Sequence, residues 1–209
     1  MAKVEKGEKP RKRVRWEKRH TEVVDTAAEL FAEQGYHATS IEDLVQATGL
    51  QRGGLYHYIQ SKQDLLIQIH ERFIEPLLAD SNEILAKDHS AEEAMRELAR
   101  ALMHTIGRYQ AQVTVFLHEW RAVANIPEWH DVRLARKHFE ENVESVIQRG
   151  IDEGVFEVRN LQLTRLAFLG MINYSYQWYS SSGGAATDEI ADEFCDIMLT
   201  GIKRSAAPS

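Results

Sequence analysis

Residues 23–66 read VVDTAAELFAEQGYHATSIEDLVQATGLQRGGLYHYIQSKQDLL. Val23, Ala27, Leu30 and Phe31 share one stripe at helical spacing, and Gly35 stands where a left-handed residue closes such a helix. The helix is expected to begin at about Trp16. Ser40 with Asp43 three positions on is a capping box, the hydroxyl taking a free amide of the first turn while the carboxylate reaches back. The short helix that follows turns Leu44 and Ala47 inward. Thr48, Gly49 and Leu50 then make a tight connection to a third helix, expected over residues 52–59. Ser61 with Asp64 reads as another capping box, opening a longer fourth helix with Leu65, Leu66, Ile69, Phe73 and Leu77. Pro76 should kink it, because the ring removes an amide and crowds the preceding turn.

Two short helices joined by a glycine turn and followed by a long one form a helix-turn-helix, whose second short helix enters the DNA major groove. Here that helix is RGGLYHYI. Arg52 at its start can donate in bidentate fashion to guanine, while Gly53 and Gly54 let backbone approach phosphates. Tyr56, His57 and Lys62 supply donors for the phosphate backbone, which sets register rather than sequence. Tyr56 and Tyr58 have a second reading as core aromatics, and Ser40 is a helix cap whatever else it does.

Working outward, the chain of 209 residues carries 25 Lys plus Arg against 32 Asp plus Glu, a formal charge of −7. Nine basic and three acidic residues fall among the first 20, so one end stands at +6 and the rest at −13. Residues 1–15 hold Gly7, Pro10 and no periodic apolar pattern, and read as a flexible basic tail. That tail is either a solvated appendage or a contact to the phosphates or minor groove of DNA.

The content of 44% hydrophobic residues suffices for a sizeable core, and apolar spacings of three and four, with few prolines, indicate an all-α protein of about nine helices. Beyond residue 80, Ser90 with Glu93 caps a helix to about Tyr109. Further helices are expected from about Gln110 to Ala124, from Pro127 to about Gly154, over 161–180 and over 187–204. A single cysteine, Cys195, excludes an intrachain disulfide and Cys-based metal sites, and is expected as a small apolar filler. No run approaches the ~20 apolar residues of a membrane span, and the basic N-terminus lacks the apolar stretch of a secretory signal. The cytoplasm is the expected location.

An enzyme lacks its parts here. HEWRA from His118 has the first half of a zinc-protease helix without the second histidine, and no glycine loop cradles phosphate. No cofactor or metal is expected.

AAELFAEQGY, ATS, the glycine turn, LYHY and SKQDLL, in this order within residues 23–66, resemble the DNA-binding domain of the TetR family of bacterial transcriptional regulators. The resemblance implies a three-helix helix-turn-helix domain over 16–77, with its motif at 40–59, and an effector-binding and dimerisation domain over 78–209. It places Thr39, Ser40, Arg52, Gly54, Tyr56, His57, Tyr58 and Lys62 at DNA. Two positions depart from the pattern: Glu42 stands where a DNA-contacting cation is frequent, and Ile59 replaces the usual Phe.

The resemblance also implies a homodimer whose two last helices pair with their counterparts. Segment 161–180 is apolar almost all round, Gly170 permits close helix approach, and Ile190, Phe194, Ile197 and Gly201 form a stripe that would stay wet in a monomer. For the effector, His104, Tyr109, Phe116, Trp120, Trp129, Phe139, Asn173, Tyr174, Tyr176 and Trp178 are candidate contacts, each with an alternative reading as core. His104 leads this set, because a histidine on an apolar face must find a partner. AQVTVFLHEWR, IQRGIDEGVF and YQWY are similar to TetR-family regulators of steroid and fatty-acid degradation, which sense acyl-coenzyme A thioesters. Gln177 and Asn173 depart from the steroid-type subgroup. Arg121, Arg133, Arg136, Lys137 and Arg165 are candidates for the cationic mouth that such a polyanion requires. The expected function is a homodimeric repressor of a palindromic operator, released by such an effector. A repressor responding to drugs or aromatic metabolites, or a helical binding protein without DNA affinity, is the alternative.

Overall fold

The computed structural model describes residues 8–123 and 126–202. Among them the chain forms nine α-helices and no strand: α1 (Glu8–Gln34), α2 (Ile41–Thr48), α3 (Arg52–Leu55), α4 (Lys62–Ala86), α5 (Ala91–Arg108), α6 (Gln110–Val123), α7 (His130–Asp152), α8 (Leu161–Asn173) and α9 (Thr187–Ile202). Two 3-10 turns, Pro127–Trp129 and Tyr174–Gln177, precede α7 and follow α8.

The caps form as their sequence demands. Ser40, Ser61, Ser90 and Asn160 accept from the amides of Asp43, Asp64, Glu93 and Leu163. Ser40 and Ser90 complete reciprocal boxes, whereas the Asp64 carboxylate accepts from the Gln60 amide instead of that of Ser61. Gly49 closes α2 at φ 66°, a left-handed conformation that gives the sharp turn into α3.

Three expected helix boundaries need correction, and the expected division between domains falls within a helix. α1 starts at Glu8, so residues 8–15 are helical, and residues 1–7 of the expected tail lie outside the described residues. Lys, Arg and Glu are strong helix formers, and Pro10 falls in the first turn, where no amide is needed. Arg13 also donates to Glu17 one turn on at 2.7 Å. The missing apolar periodicity meant nothing to pack against, not the lack of a helix. Second, α3 ends at Leu55, and the amides of His57 and Tyr58 bond three residues back to Gly54 and Leu55. Two consecutive glycines, each costing about 1 kcal/mol against alanine, limit the helix there. Third, α4 runs through Pro76, and the domain boundary expected at residue 77 falls inside it. Fourth, α8 stops at Asn173 and passes directly into the 3-10 turn Tyr174–Gln177. The expected ends of the sixth and last helices, Ala124 and residue 204, lie outside the described residues.

α4 forms the spine, with α5, α6 and α7 against it, α9 on α5 and α1 on α6. Its first turns belong to the core of the head, where Val23, Ala27, Phe31, Leu44, Leu55, Ile59 and Leu66 are buried together. Ile59 therefore fills its place by packing, as expected. Further along, α4 joins the core of the body with Leu98, Ile106, Val143, Ile147 and Ile172. Full burial of each such side chain stabilises by roughly 1.5–3 kcal/mol. Arg100 grips both oxygens of Asp192 at 2.8 Å and Arg96 pairs with Asp196, which fixes α9 on α5. Cys195 is turned inward, and burial pushes its thiol up to about 12, as suits an apolar filler.

Candidate nucleic-acid interface and effector cavity

The head exposes Ser40, Arg52, Tyr56 and His57, with Gly54 half-buried, on the side formed by the starts of α2 and α3 and the turn after α3. Ser40 is occupied as a cap. Its hydroxyl donates to Asp43 at 2.7 Å, and these bonds hold the Asp43 carboxyl below the usual carboxylate range. Arg52 is exposed but engaged, its Nη1 donating to Glu42 at 2.6 Å. Glu42 thus pairs with the cation that opens α3.

Two expected DNA contacts are turned inward. Thr39 is buried, and its hydroxyl donates to the Gly35 carbonyl at 2.9 Å, bridging the turn between α1 and α2. The Lys62 ammonium donates to the Thr39 carbonyl and lies 4.3 Å from the centre of the Tyr36 ring. Burial holds it below the ordinary lysine range, partly offset by the carboxylates of Glu119 and Asp43. A cation spent on a carbonyl and a ring is a brace of the head.

Cations that the motif did not single out stand on α1. Lys12, Arg15, Lys18 and Arg19 line an open depression of about 580 Å³ with Trp16, Glu22 and Tyr58. Arg19 caps the end of α2 by donating to the Thr48 carbonyl at 2.9 Å. Trp16 stacks on His20 at 4.8 Å and meets Tyr58 at 5.8 Å, and the His57 ring stands edge-on to Tyr58. Tyr58 is half-buried, joining the recognition turn to α1. The helical spacing of residues 12, 15 and 18/19 was the available signal, hidden by the reading of 8–15 as a tail.

In the body, α4 to α8 enclose an apolar cavity of about 240 Å³. Phe73, Ile74 and Leu77 come from α4, Leu102 and Ile106 from α5, Phe116 from α6, Phe139 from α7 and Leu169 from α8. Thr105, Arg136, Glu140 and Asn173 are its polar groups. Of the expected contacts, Phe116, Phe139 and Asn173 line it. Trp120 stands one ring behind, 5.2 Å from Phe116, with the Arg136 guanidinium 4.4 Å from its ring centre.

The other expected contacts lie elsewhere. His104 is on the outer face of α5, 56% exposed, paired with Asp188 of α9. The apolar residues of α5 face inward without it, so the rotation of α5 overturns its leading place. Tyr109 is buried between the guanidiniums of Arg72 and Arg108, outside the cavity. Trp129 is a core residue with no exposed surface, and Arg121, Tyr174 and Trp178 are exposed. Tyr176 is half-buried, its hydroxyl 3.2 Å from His118. Arg133 donates to the Ile126 carbonyl, whereas Arg136, Lys137 and Arg165 gather along α7 and the start of α8.

The buried histidine is His70 on α4. Its ring lies 4.5 Å from Trp129 and 4.9 Å from Phe116, Nδ1 donates to the Leu66 carbonyl, and buried Nε2 has no hydrogen-bond partner among the described residues. Desolvation lowers its pKa to about 4, so the ring is neutral. Nothing in its local sequence separated it from a surface histidine.

Leu163, Leu166, Ala167, Gly170 and Tyr174 form an exposed stripe on α8 and its extension, with Leu163 63% exposed. On α9, Ile197 and Gly201 are exposed and Phe194 is half-buried, meeting exposed Trp178 edge-on. Ile190, expected in the same outward stripe, is buried inside the protomer, because α9 presents that flank to α5. Gly170 makes no close approach within the protomer and instead borders the cavity. No helix among the described residues is long and apolar enough to cross a membrane.

Two family descriptions match the chain: bacterial regulatory proteins of the tetR family over residues 23–69, and the tetracyclin repressor-like C-terminal domain over residues 88–202. The chain is similar to the HTH-type transcriptional repressor KstR2 of Mycobacterium tuberculosis, 26% identical over 187 residues that cover 89% of this chain and 94% of the relative. The solved structure of that ketosteroid transcriptional regulator superimposes with a TM-score of 0.84, covering 90% of this chain and 96% of the other. PfmR, a TetR family regulator from Thermus thermophilus, is 31% identical with a TM-score of 0.77, over 87% of this chain and 99% of the other. AibR, solved in complex with isovaleryl coenzyme A and operator DNA, shares the fold at a TM-score of 0.76 and 23% identity, over 87% and 98% of the two chains.

Proposed function

The chain belongs to the TetR family of bacterial transcriptional regulators, and from that footing we propose a homodimeric cytoplasmic repressor that reads a near-palindromic operator and is released by an acyl-coenzyme A thioester. One observation carries the coupling: α4 lines the cavity with Phe73, Ile74 and Leu77 and, without interruption, supplies Leu65 and Leu66 to the core of the head. A ligand that favours one placement of α4 therefore biases the head. Only its differential affinity for the two placements can release DNA.

The exposed stripe on α8 and α9 is the dimer face, since an apolar surface of that extent is covered by a partner in a stable protein. Two heads would then meet successive major-groove faces about 34–36 Å apart. Arg52, Tyr56 and His57 meet the operator, with Ser40 at its edge and the cations of α1 on flanking phosphate. The acyl portion lies among Phe73, Phe116 and Phe139, and Arg136, Lys137 and Arg165 provide the cationic mouth. The likeness to KstR2, a ketosteroid regulator, supports a lipid-derived effector.

The test is a mobility shift of the DNA upstream of the chain's own gene, titrated with a panel of acyl-coenzyme A thioesters and a neutral aromatic compound. Release by thioesters alone is the expected result. Release by the aromatic compound alone would favour the drug-type reading, for which the phenylalanine walls are suited. Tight thioester binding without loss of operator affinity would refute the coupling.

A further inference from the structure

One carboxylate in the cavity wall is held between two guanidiniums. Glu140 accepts from Arg136 Nε at 2.9 Å through Oε1, and its Oε2 lies 3.4 Å from Arg165 Nη1. Arg136 and Glu140 both line the cavity, whose other walls are apolar apart from Thr105 and Asn173. Each guanidinium has a further anchor. Arg136 lies 4.4 Å from the ring centre of Trp120 and 5.5 Å from that of Phe116. Arg165 has a second carboxylate, Glu144, at 3.3 Å, and its buried Nε has no acceptor among the described residues. If Glu140 left, both cations would stay in place, one of them with a donor to spare.

We infer that Glu140 is an internal surrogate for the anionic group of the effector: the ligand's anion takes the seat between Arg136 and Arg165, and Glu140 swings out to solvent. The inference rests on the cavity being the effector site. A planar fork prefers an anion it can grip with two donors. An anionic ligand recovers on binding what Glu140 gives up. A neutral ligand leaves the pair intact and is indifferent to it. Glu140 thus competes with the ligand's anion for the two guanidiniums, and sets the affinity at which an anion can displace it.

The apolar part of the ligand is bounded by the space. At roughly 30 Å³ per water-sized group, 240 Å³ holds about eight such groups, the size of an octyl chain. Arg165 also borders, with Lys137, a second depression of about 510 Å³. The anion can therefore be the ligand's own carboxylate or a phosphate of coenzyme A carried outside the cavity.

Calorimetric titration of the full chain with octanoate, octanoyl-coenzyme A and 1-octanol separates these cases. Glu140→Gln is expected to bind at least one of the two anions about tenfold tighter than the native chain, with octanol changed by less than about twofold. Tightening for octanoate alone, or for octanoyl-coenzyme A alone, supports the exchange and identifies the source of the anion. Arg136→Met should lose about tenfold or more for that same anion and keep octanol. Anion binding no tighter in Glu140→Gln, or undiminished in Arg136→Met, overturns the surrogate role while octanol binding still upholds the cavity. Failure of all three probes to bind the native chain removes the effector-site reading itself.

Discussion

Arg52 donates from Nη1 to the carboxylate of Glu42 at 2.6 Å, so the guanidinium that opens the recognition helix is held by an anion of its own head. Both side chains are more than half exposed, and such pairs stabilise by only about 0–1 kcal/mol. On the proposed reading, exchange of Glu42 for a base edge costs no more than that.

Arg52→Ala is expected to cost about 1–3 kcal/mol on the operator and to relax sequence preference. Glu42→Gln should tighten operator and scrambled duplex alike, by up to about 1 kcal/mol. Anisotropy titrations with both duplexes measure this. Weaker operator binding in Glu42→Gln would mean that Glu42 itself serves recognition.

Lys62 and the cations of α1 should behave in opposite ways. Lys62→Met removes a bond to the Thr39 carbonyl and a cation over Tyr36, and is expected to lower unfolding stability by about 1–2 kcal/mol while leaving the salt dependence of DNA binding in place. Joint replacement of Lys12, Arg15 and Lys18 by alanine should flatten the slope of log K against log salt by about 2–3. A slope reduced by about one in Lys62→Met, with unchanged denaturation, would make Lys62 a phosphate contact.

His70 should make stability depend on pH. Its folded pKa is about 4 against an ordinary 6.5, so between these values the unfolded chain binds the proton and the folded chain does not. This contribution is complete above pH 6.5 and is lost as pH falls toward 4. Between pH 7.5 and 5 it amounts to about 2 kcal/mol at 1.36 kcal/mol per pKa unit. Urea denaturation of the native chain and of His70→Phe at both pH values tests it, the variant being expected to lose that part of the slope. An equal slope in both proteins would assign the pH dependence to other groups.

The proposed dimer face should respond to charge. Leu163→Glu combined with Ile197→Glu places two carboxylates on the exposed stripe and is expected to convert a dimer into a folded monomer by light scattering, with operator affinity falling at least tenfold through loss of the second head. A dimer that persists in this variant would place the interface elsewhere.

Much of the architecture is written in local signals. The serine caps at 40, 61 and 90 and the glycine at 49 act within one turn of their own position, so the helix-turn-helix and the order of helices follow from neighbours in sequence. The segments that depart from the expected pattern are those where apolar periodicity is weak or changes within a few residues. Residues 8–15 are helical by propensity without an apolar stripe, and α8 gives way after Asn173 to a 3-10 turn, a change that apolar periodicity does not display.

The sequence by itself determined the all-α class, the recognition motif and its family, because caps, turns and helical periodicity are properties of consecutive residues. Only the tertiary structure decided which polar groups remain for function. His70 and His104 both sit on helices with an apolar face, yet packing turns the first under Trp129 and the second out to Asp188. Lys62 reaches back 23 residues to Thr39, Arg52 ten to Glu42, and Arg165 pairs with Glu140 of another helix. A charge is free or spent according to its partner, and the partner here comes from a different element, brought within reach by burial of the apolar faces between them.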